Sequence, residues 1–177
     1  MAGIGFTPQI LFDMEGQQGD SLCWIAVAVS VQHYFETTSA LKQCELVRAL
    51  LNATRTCCDD DALSGGFVPI RCDKPGKLVV ALGTPPGVDH LNDVFEGTMT
   101  FADVQRQIDR NLPVCAYISW GAGEGHFILI SGYNDLNGVQ YLYVKDPLYR
   151  DGVHTYETVA NHYLLDGQWT FTYRLRR

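Results

Sequence analysis

The sequence predicts an α+β domain in two lobes, an N-terminal helical lobe whose central helix packs on a C-terminal antiparallel β-sheet. Three observations predict it. Leu22 to Phe35 is apolar on nearly every side, the mark of a central helix. Four short β-branched and aromatic runs, VCAYISW, HFILISGY, VQYLYVKDP and WTFTYRLR, fill the second half between turn residues. Between the halves, Gly65-Gly66, Pro69, Pro75-Gly76 and Pro85-Pro86-Gly87 break the pattern repeatedly.

The elements follow in order. After a polar turn at Gln17–Ser21, Ile25, Ala26, Val27, Ala28, Val29 and Val31 place the first helix inside the domain. Ser39 reads as the N-cap of a second helix over Leu41–Leu51, with Leu46, Val47, Leu50 and Leu51 as its inward stripe. Loops and short strands are expected from Asn52 to about Thr98. Thr100 and Asp103 make a capping-box-like start for a third helix that buries Phe101, Val104 and Ile108 and ends before Pro113. Strands occupy the remainder.

At 177 residues the chain fits one domain, 1–177, with enough length for a sizeable core. A hydrophobic fraction of 46% against 19% charged residues belongs to a folded globular chain. The formal charge is −7 and the only basic cluster is the terminal Arg174-Leu175-Arg176-Arg177, which argues against a nucleic-acid partner. No apolar run is long enough to span a bilayer, so no membrane partner is expected. The N-terminus has neither a basic n-region nor a continuous apolar h-region, so no secretory signal is read.

Six cysteines point toward an oxidising setting. Cys44, Cys57, Cys58 and Cys72 cluster, and neighbouring residues rarely bridge each other, so Cys57 and Cys58 are expected to pair separately with Cys44 and Cys72. Zinc on this cluster with His90 is the weaker reading, because adjacent cysteines make poor ligand spacing and there is no Cys-x-x-Cys. Neither a metal nor a cofactor is expected. Cys115 lies in a predicted strand as a buried free thiol, and Asp59-Asp60-Asp61 reads as a solvated acidic turn.

Cys23 stands apart, after a polar turn and at the start of the apolar helix. A lone cysteine there is more often packing than chemistry. The sheet decides otherwise. If the hairpin through Asn134-Asp135-Leu136-Asn137-Gly138 is symmetric about Leu136, Ile130 faces Leu142, Ile128 faces Val144 and His126 faces Asp146. A carboxylate holding one imidazole nitrogen leaves the other for a nucleophile. Cys23, at the positive end of a helix macrodipole, is placed to be that nucleophile. Gln17, six positions earlier, would donate to an oxyanion beside the Cys23 backbone N–H, with Gln18 as the alternative donor. His33, His90, His154 and His162 have no such partner in sequence and read as surface or core residues.

QQGDSLCW leading into a helix, GHFILISGY and a later YLYVKDP resemble the papain-like cysteine proteases, in particular the double-glycine leader peptidases and bacterial effector proteases. The resemblance implies a papain-like fold and a cysteine endopeptidase with Cys23 as nucleophile, His126 as general base and acid, Asp146 as orienting residue and Gln17 as oxyanion donor. Trp24 matches the aromatic that follows the nucleophile. Asp146 stands where papain-type enzymes carry Asn, and the bacterial branches use Asp in an Asp-Pro pair. Gly125 would let an extended substrate approach, and Glu124 would bias its charge. GAGEG at Gly121–Gly125 is otherwise a weak phosphate-loop match with no Lys-Ser or Lys-Thr after it.

The resemblance further implies cleavage of proteins or peptides, with Gly-Gly sites as one preference. It implies a toxin-like effector delivered into target cells without a signal peptide, and a cognate immunity protein that covers the cleft. Two other classes stay open: a catalytically silent papain-like binding module, and a transglutaminase or deamidase using the same acyl-transfer chemistry.

Overall fold

A computed structural model describes residues 8–52, 57–58, 67–121, 123 and 125–177. The expectations at Asp59–Asp61, Gly65-Gly66 and Glu124 lie outside the described residues.

The elements run α1 (Cys23–Phe35), α2 (Gln43–Leu50), α3 (Leu78–Ala81), β1 (Leu91–Glu96), α4 (Phe101–Ile108), β2 (Val114–Ser119), β3 (Gly125–Leu136), β4 (Val139–Lys145), β5 (Gly152–Thr155), α5 (Tyr156–Asn161) and β6 (Gln168–Leu175). The strands form one antiparallel sheet in the order β1-β6-β2-β3-β4-β5. This is an α+β fold with a helical N-terminal part and a sheet-rich C-terminal part. No helix among the described residues is long and apolar enough to cross a membrane.

The first helix is buried from Trp24 through Val31. Each of its fully covered Val and Ile side chains contributes roughly 1.5–3 kcal/mol relative to exposure, enough to fix the helix centrally. Its N-terminus has no side-chain cap. The turn residues that would ordinarily cap it, Asp20 and Ser21, are turned by their backbone toward another segment instead.

The second helix is shorter than the pattern of leucines suggests. It starts after Lys42 rather than at Ser39, because Glu45 reaches back to the Lys42 N–H at 2.9 Å and satisfies that end. The third predicted helix is α4, capped as its sequence indicates: Thr100 Oγ1 accepts from the Asp103 N–H at 3.2 Å. Helix α5 shows the same device, Thr155 accepting from Thr158, and was not anticipated. Nor were α3 and β5, which are too short to impose a period on the sequence, whereas β1 is one of the short strands expected before Thr98.

The β3–β4 hairpin departs from the symmetric arrangement. The strands continue to Leu136 and Val139, so the turn is only Asn137-Gly138, both with positive φ, 55° and 83°. That is the backbone a two-residue primed turn requires, and Asn-Gly is its strongest sequence signal. This turn alone would set Ile130 against Lys145 and send His126 and Asp146 to opposite faces. Ser131 prevents that: the register shifts between Ile130 and Gly132, and Ile130 meets Val144. The bulge is braced from outside, since Ser131 O accepts from the Ile10 N–H at 2.7 Å and Gly132 bridges Gln9. A Cβ at Gly132 would stand 2.9 Å from Pro8 O, so only glycine admits this strap.

Candidate active site

The strap continues from Pro8 along the sheet to the turn before α1, where the Gln17 N–H donates to Pro147 O at 2.9 Å. This bond fixes the turn carrying Cys23 against the end of β4. The Asp146-Pro147 pair therefore joins both halves of the site.

His126, in β3, and Asp146, just past β4, are both buried, and His126 Nε2 lies 2.8 Å from Asp146 Oδ1. Because Ile130 pairs with Val144, the two sit on a diagonal of the hairpin rather than directly opposite. Asp146 is satisfied from four sides. Its Oδ1 also accepts from the Leu148 and Tyr149 backbone N–H groups at 2.8 and 2.9 Å, and its Oδ2 accepts from Tyr163 Oη at 2.7 Å. The Tyr149 ring meets the His126 ring edge-on, centroids 5.6 Å apart.

The electrostatics follow from this arrangement. Burial by itself pushes the His126 pKa down, but the hydrogen bond it donates to Asp146, the neighbouring Cys23 side chain and the charges of both raise it to about 9. Burial pushes Asp146 up, yet the His126 hydrogen bond and charge, then Tyr149 and Tyr163, hold its carboxyl below the usual range. Burial and the Asp146 charge keep Tyr163 a neutral donor. His126 thus lies in an imidazolium-favouring position between the Cys23 thiol and the Asp146 carboxylate.

Cys23 is held within its own lobe by the segment Cys72–Gly76. Asp73 accepts the Ser21 N–H on Oδ1 at 2.8 Å and the Asp20 N–H on Oδ2 at 2.9 Å. Lys74 O accepts from Trp24 Nε1 at 3.0 Å, and Gly76 lies so close to the Trp24 ring that no Cβ fits. Two disulfides anchor the segment: Cys44 bonds Cys58 on the side of α2, and Cys57 bonds Cys72 beside Asp73. These choose between the pairings that the sequence leaves open. Cys115 is a buried free thiol in β2, and burial pushes its pKa up.

Between the lobes lies a cleft of about 890 Å³, large enough for an extended peptide. Cys23, Trp24 and Gly76 line one wall, and Gly125, His126 and Tyr149 belong to the other. Trp24 is only 3% exposed, so it forms the wall rather than offering a free surface. At Gly125 a Cβ would overlap the Tyr117 hydroxyl, which explains the glycine.

Gln17 takes a different position from the one its spacing suggests. Its Nε2 donates to Gly19 O at 2.7 Å and Asp20 O at 3.0 Å, its Oε1 is buried without a partner, and it does not line the cleft. The turn consumes its amide hydrogens because the Gly19 and Asp20 carbonyls need donors there. Gln18 faces away, its N–H bonded to Gln43 Oε1 and its carbonyl to the Val68 N–H. His33, read as unpartnered, pairs with Glu15 at 3.0 Å, and His90 is buried with Nδ1 3.2 Å from Arg176 O.

Sequence reasoning missed Asp73 and Tyr163. Both act at long sequence distance, through a carboxylate on a loop and a phenol at the end of a six-residue helix. The only local hint was that Asp73 follows one of the clustered cysteines.

The fold is that of a cysteine peptidase of papain-like architecture. A family model, Peptidase_C39 like family, matches residues 11–174, and the chain belongs to that family. Among solved structures it is similar to one from work on the mite allergens Blo t 1 and Der p 1, with 14% identity, a TM-score of 0.55, and coverage of 99% of this chain and 73% of that one. Digestive procathepsin L 3 from the larval midgut of Tenebrio molitor is similar at 13% identity, a TM-score of 0.53, and 98% and 71% coverage. Comparison with curated proteins found no match.

Proposed function

We propose that the protein is an endopeptidase that cleaves proteins or peptides by acyl transfer, using Cys23, His126 and Asp146 as a triad. The observation that carries this reading is the buried His126–Asp146 pair at 2.8 Å, with Cys23 and His126 both lining one peptide-sized cleft.

Cys23 attacks the scissile carbonyl as thiolate, and the negative charge passes to the carbonyl oxygen. The Cys23 backbone N–H, at an uncapped helix start, is the oxyanion donor closest to hand. Gln17 joins it only by turning its amide away from Gly19 and Asp20. His126 gives its proton to the leaving amine, producing a thioester and a free N-terminus. Water then attacks the thioester with His126 as base, releasing the acid and restoring the thiolate–imidazolium pair. Asp146 keeps the ring oriented and stabilises its positive form throughout.

The setting follows the same reading. A disulfide-braced protease of this family serves as an effector or toxin acting outside the cell that makes it, and an immunity protein of the producer covers the cleft. Gly-Gly sites are one candidate preference, supported by the family resemblance. A scaffold without turnover has no comparable support, because nothing in packing requires a buried imidazole to be held by four-way coordination of its carboxylate.

An electrophilic peptide, such as a peptidyl chloromethyl ketone, tests the nucleophile. One addition that maps to Cys23, disappears in His126→Ala and spares Cys115 is expected. Equal labelling of wild type and His126→Ala would overturn the triad.

A further inference from the structure

The sheet-side rim of the cleft carries large apolar side chains that the fold does not use. Leu165 is 84% exposed, Tyr149 54%, Leu148 49% and Leu164 40%, and all four line the cleft. Leu164 and Leu165 also have positive φ, 47° and 88°. Side chains with a Cβ rarely adopt that backbone, and exposed leucines gain nothing from burial in return. An arrangement that is both strained and exposed is informative when it faces a site.

The strain is imposed by closure. Tyr163 and Gly167 exchange two backbone hydrogen bonds of 2.9 Å, so the three residues between them form a tight projecting loop. The same Tyr163 anchors the loop by its hydroxyl bond to Asp146. Asp146 also fixes Leu148 and Tyr149 through their N–H groups. One carboxylate therefore orients the imidazole and both parts of the apolar rim.

We propose that Leu148, Tyr149, Leu164 and Leu165 form the specificity-determining subsite for the leaving half of the substrate. They bind a bulky apolar side chain in the first two residues on the C-terminal side of the scissile bond. The side is set by chemistry: the acid that protonates the leaving nitrogen lies beside it, and Tyr149 packs on that acid, His126. The proposal rests on the peptidase reading above.

The test uses the full chain and a synthetic peptide library varied on both sides of the cleavage point, with products read by mass spectrometry. Wild type is expected to favour Leu, Met or Phe over Gly in the first two C-terminal positions by roughly tenfold, in line with what an apolar pocket discriminates. Leu165→Ser with Leu164→Ser should reduce that ratio toward one. Leu165→Lys should create a preference for Asp or Glu there, a gain that misfolding does not produce. An unchanged ratio in the variants, or apolar selection only on the N-terminal side, overturns the subsite while leaving the peptidase intact. Absence of any Cys23-dependent cleavage by wild type overturns both.

Discussion

His126 and Asp146 meet on a diagonal of the β3–β4 hairpin, Nε2 to Oδ1 2.8 Å, because Ser131 bulges out of β3. The two-residue turn moves the pairing by an odd number of positions and the bulge takes one back. Both residues therefore stay on one face. The bulge is part of the site although its residue touches no reacting atom.

The pH profile should report this pair. With His126 raised to about 9, kcat/KM is expected to fall on the alkaline side through about that pH, as the proton for the leaving amine is lost. Asp146→Asn keeps an acceptor oxygen but removes the charge, and should move the alkaline limb down by about one pH unit or more. An unmoved limb would show that the carboxylate charge does not set the imidazole.

Stability carries the same signature with opposite signs at the two ends. His126 is raised from 6.5, so its contribution is fully present below that value and is lost as pH rises through about 9. Asp146 is lowered from 3.8, so its contribution is present above that value and is lost as pH falls through its depressed folded value. Thermal melts should give a plateau between these limits. Asp146→Ala should flatten both edges.

Asp73→Asn should lower kcat by more than tenfold with KM changed less than threefold. One of the two N–H groups it accepts, from Asp20 or Ser21, would then face an amide donor, and hydrogen bonds to a charged group contribute about 1.5–3 kcal/mol. A purely structural residue would lower the melting temperature and leave the pH profile and the kcat of the folded enzyme unchanged.

Much of this was legible in the sequence, for reasons that can be named. The apolar surround of α1, the Thr100–Asp103 cap and the aromatic strands are local patterns, and local patterns survive folding. The same-face placement of His126 and Asp146 was reached from a register displaced by two residues, which preserves the face. What was not legible depends on contacts far apart in the chain. Asp73 meets Ser21 across 52 residues and Tyr163 meets Asp146 across 17, and neither has a spacing signature. Gln17 shows what spacing leaves out: the turn's own carbonyls take its amide hydrogens in this structure.

The disulfide beside Asp73 predicts a window of reductant. Cys23 must be reduced, whereas Cys57–Cys72, with a sequence separation of 15, holds the segment that fixes its turn. Opening a loop of that length costs about 3 kcal/mol, or roughly 6–12 °C in melting temperature for a chain of this size. Activity should rise with mild thiol and fall as stronger reductant opens this bond. Cys57→Ser with Cys72→Ser should be destabilised and lose the falling limb.

The central claim is peptide-bond cleavage that depends on Cys23, and it is tested most directly by mapping new N-termini. The protein and its Cys23→Ala variant would each be incubated with a soluble bacterial proteome under mildly reducing conditions and the termini identified by mass spectrometry. New termini with a shared flanking sequence in the wild-type sample alone are the predicted result. Identical terminus lists from the two proteins would contradict it.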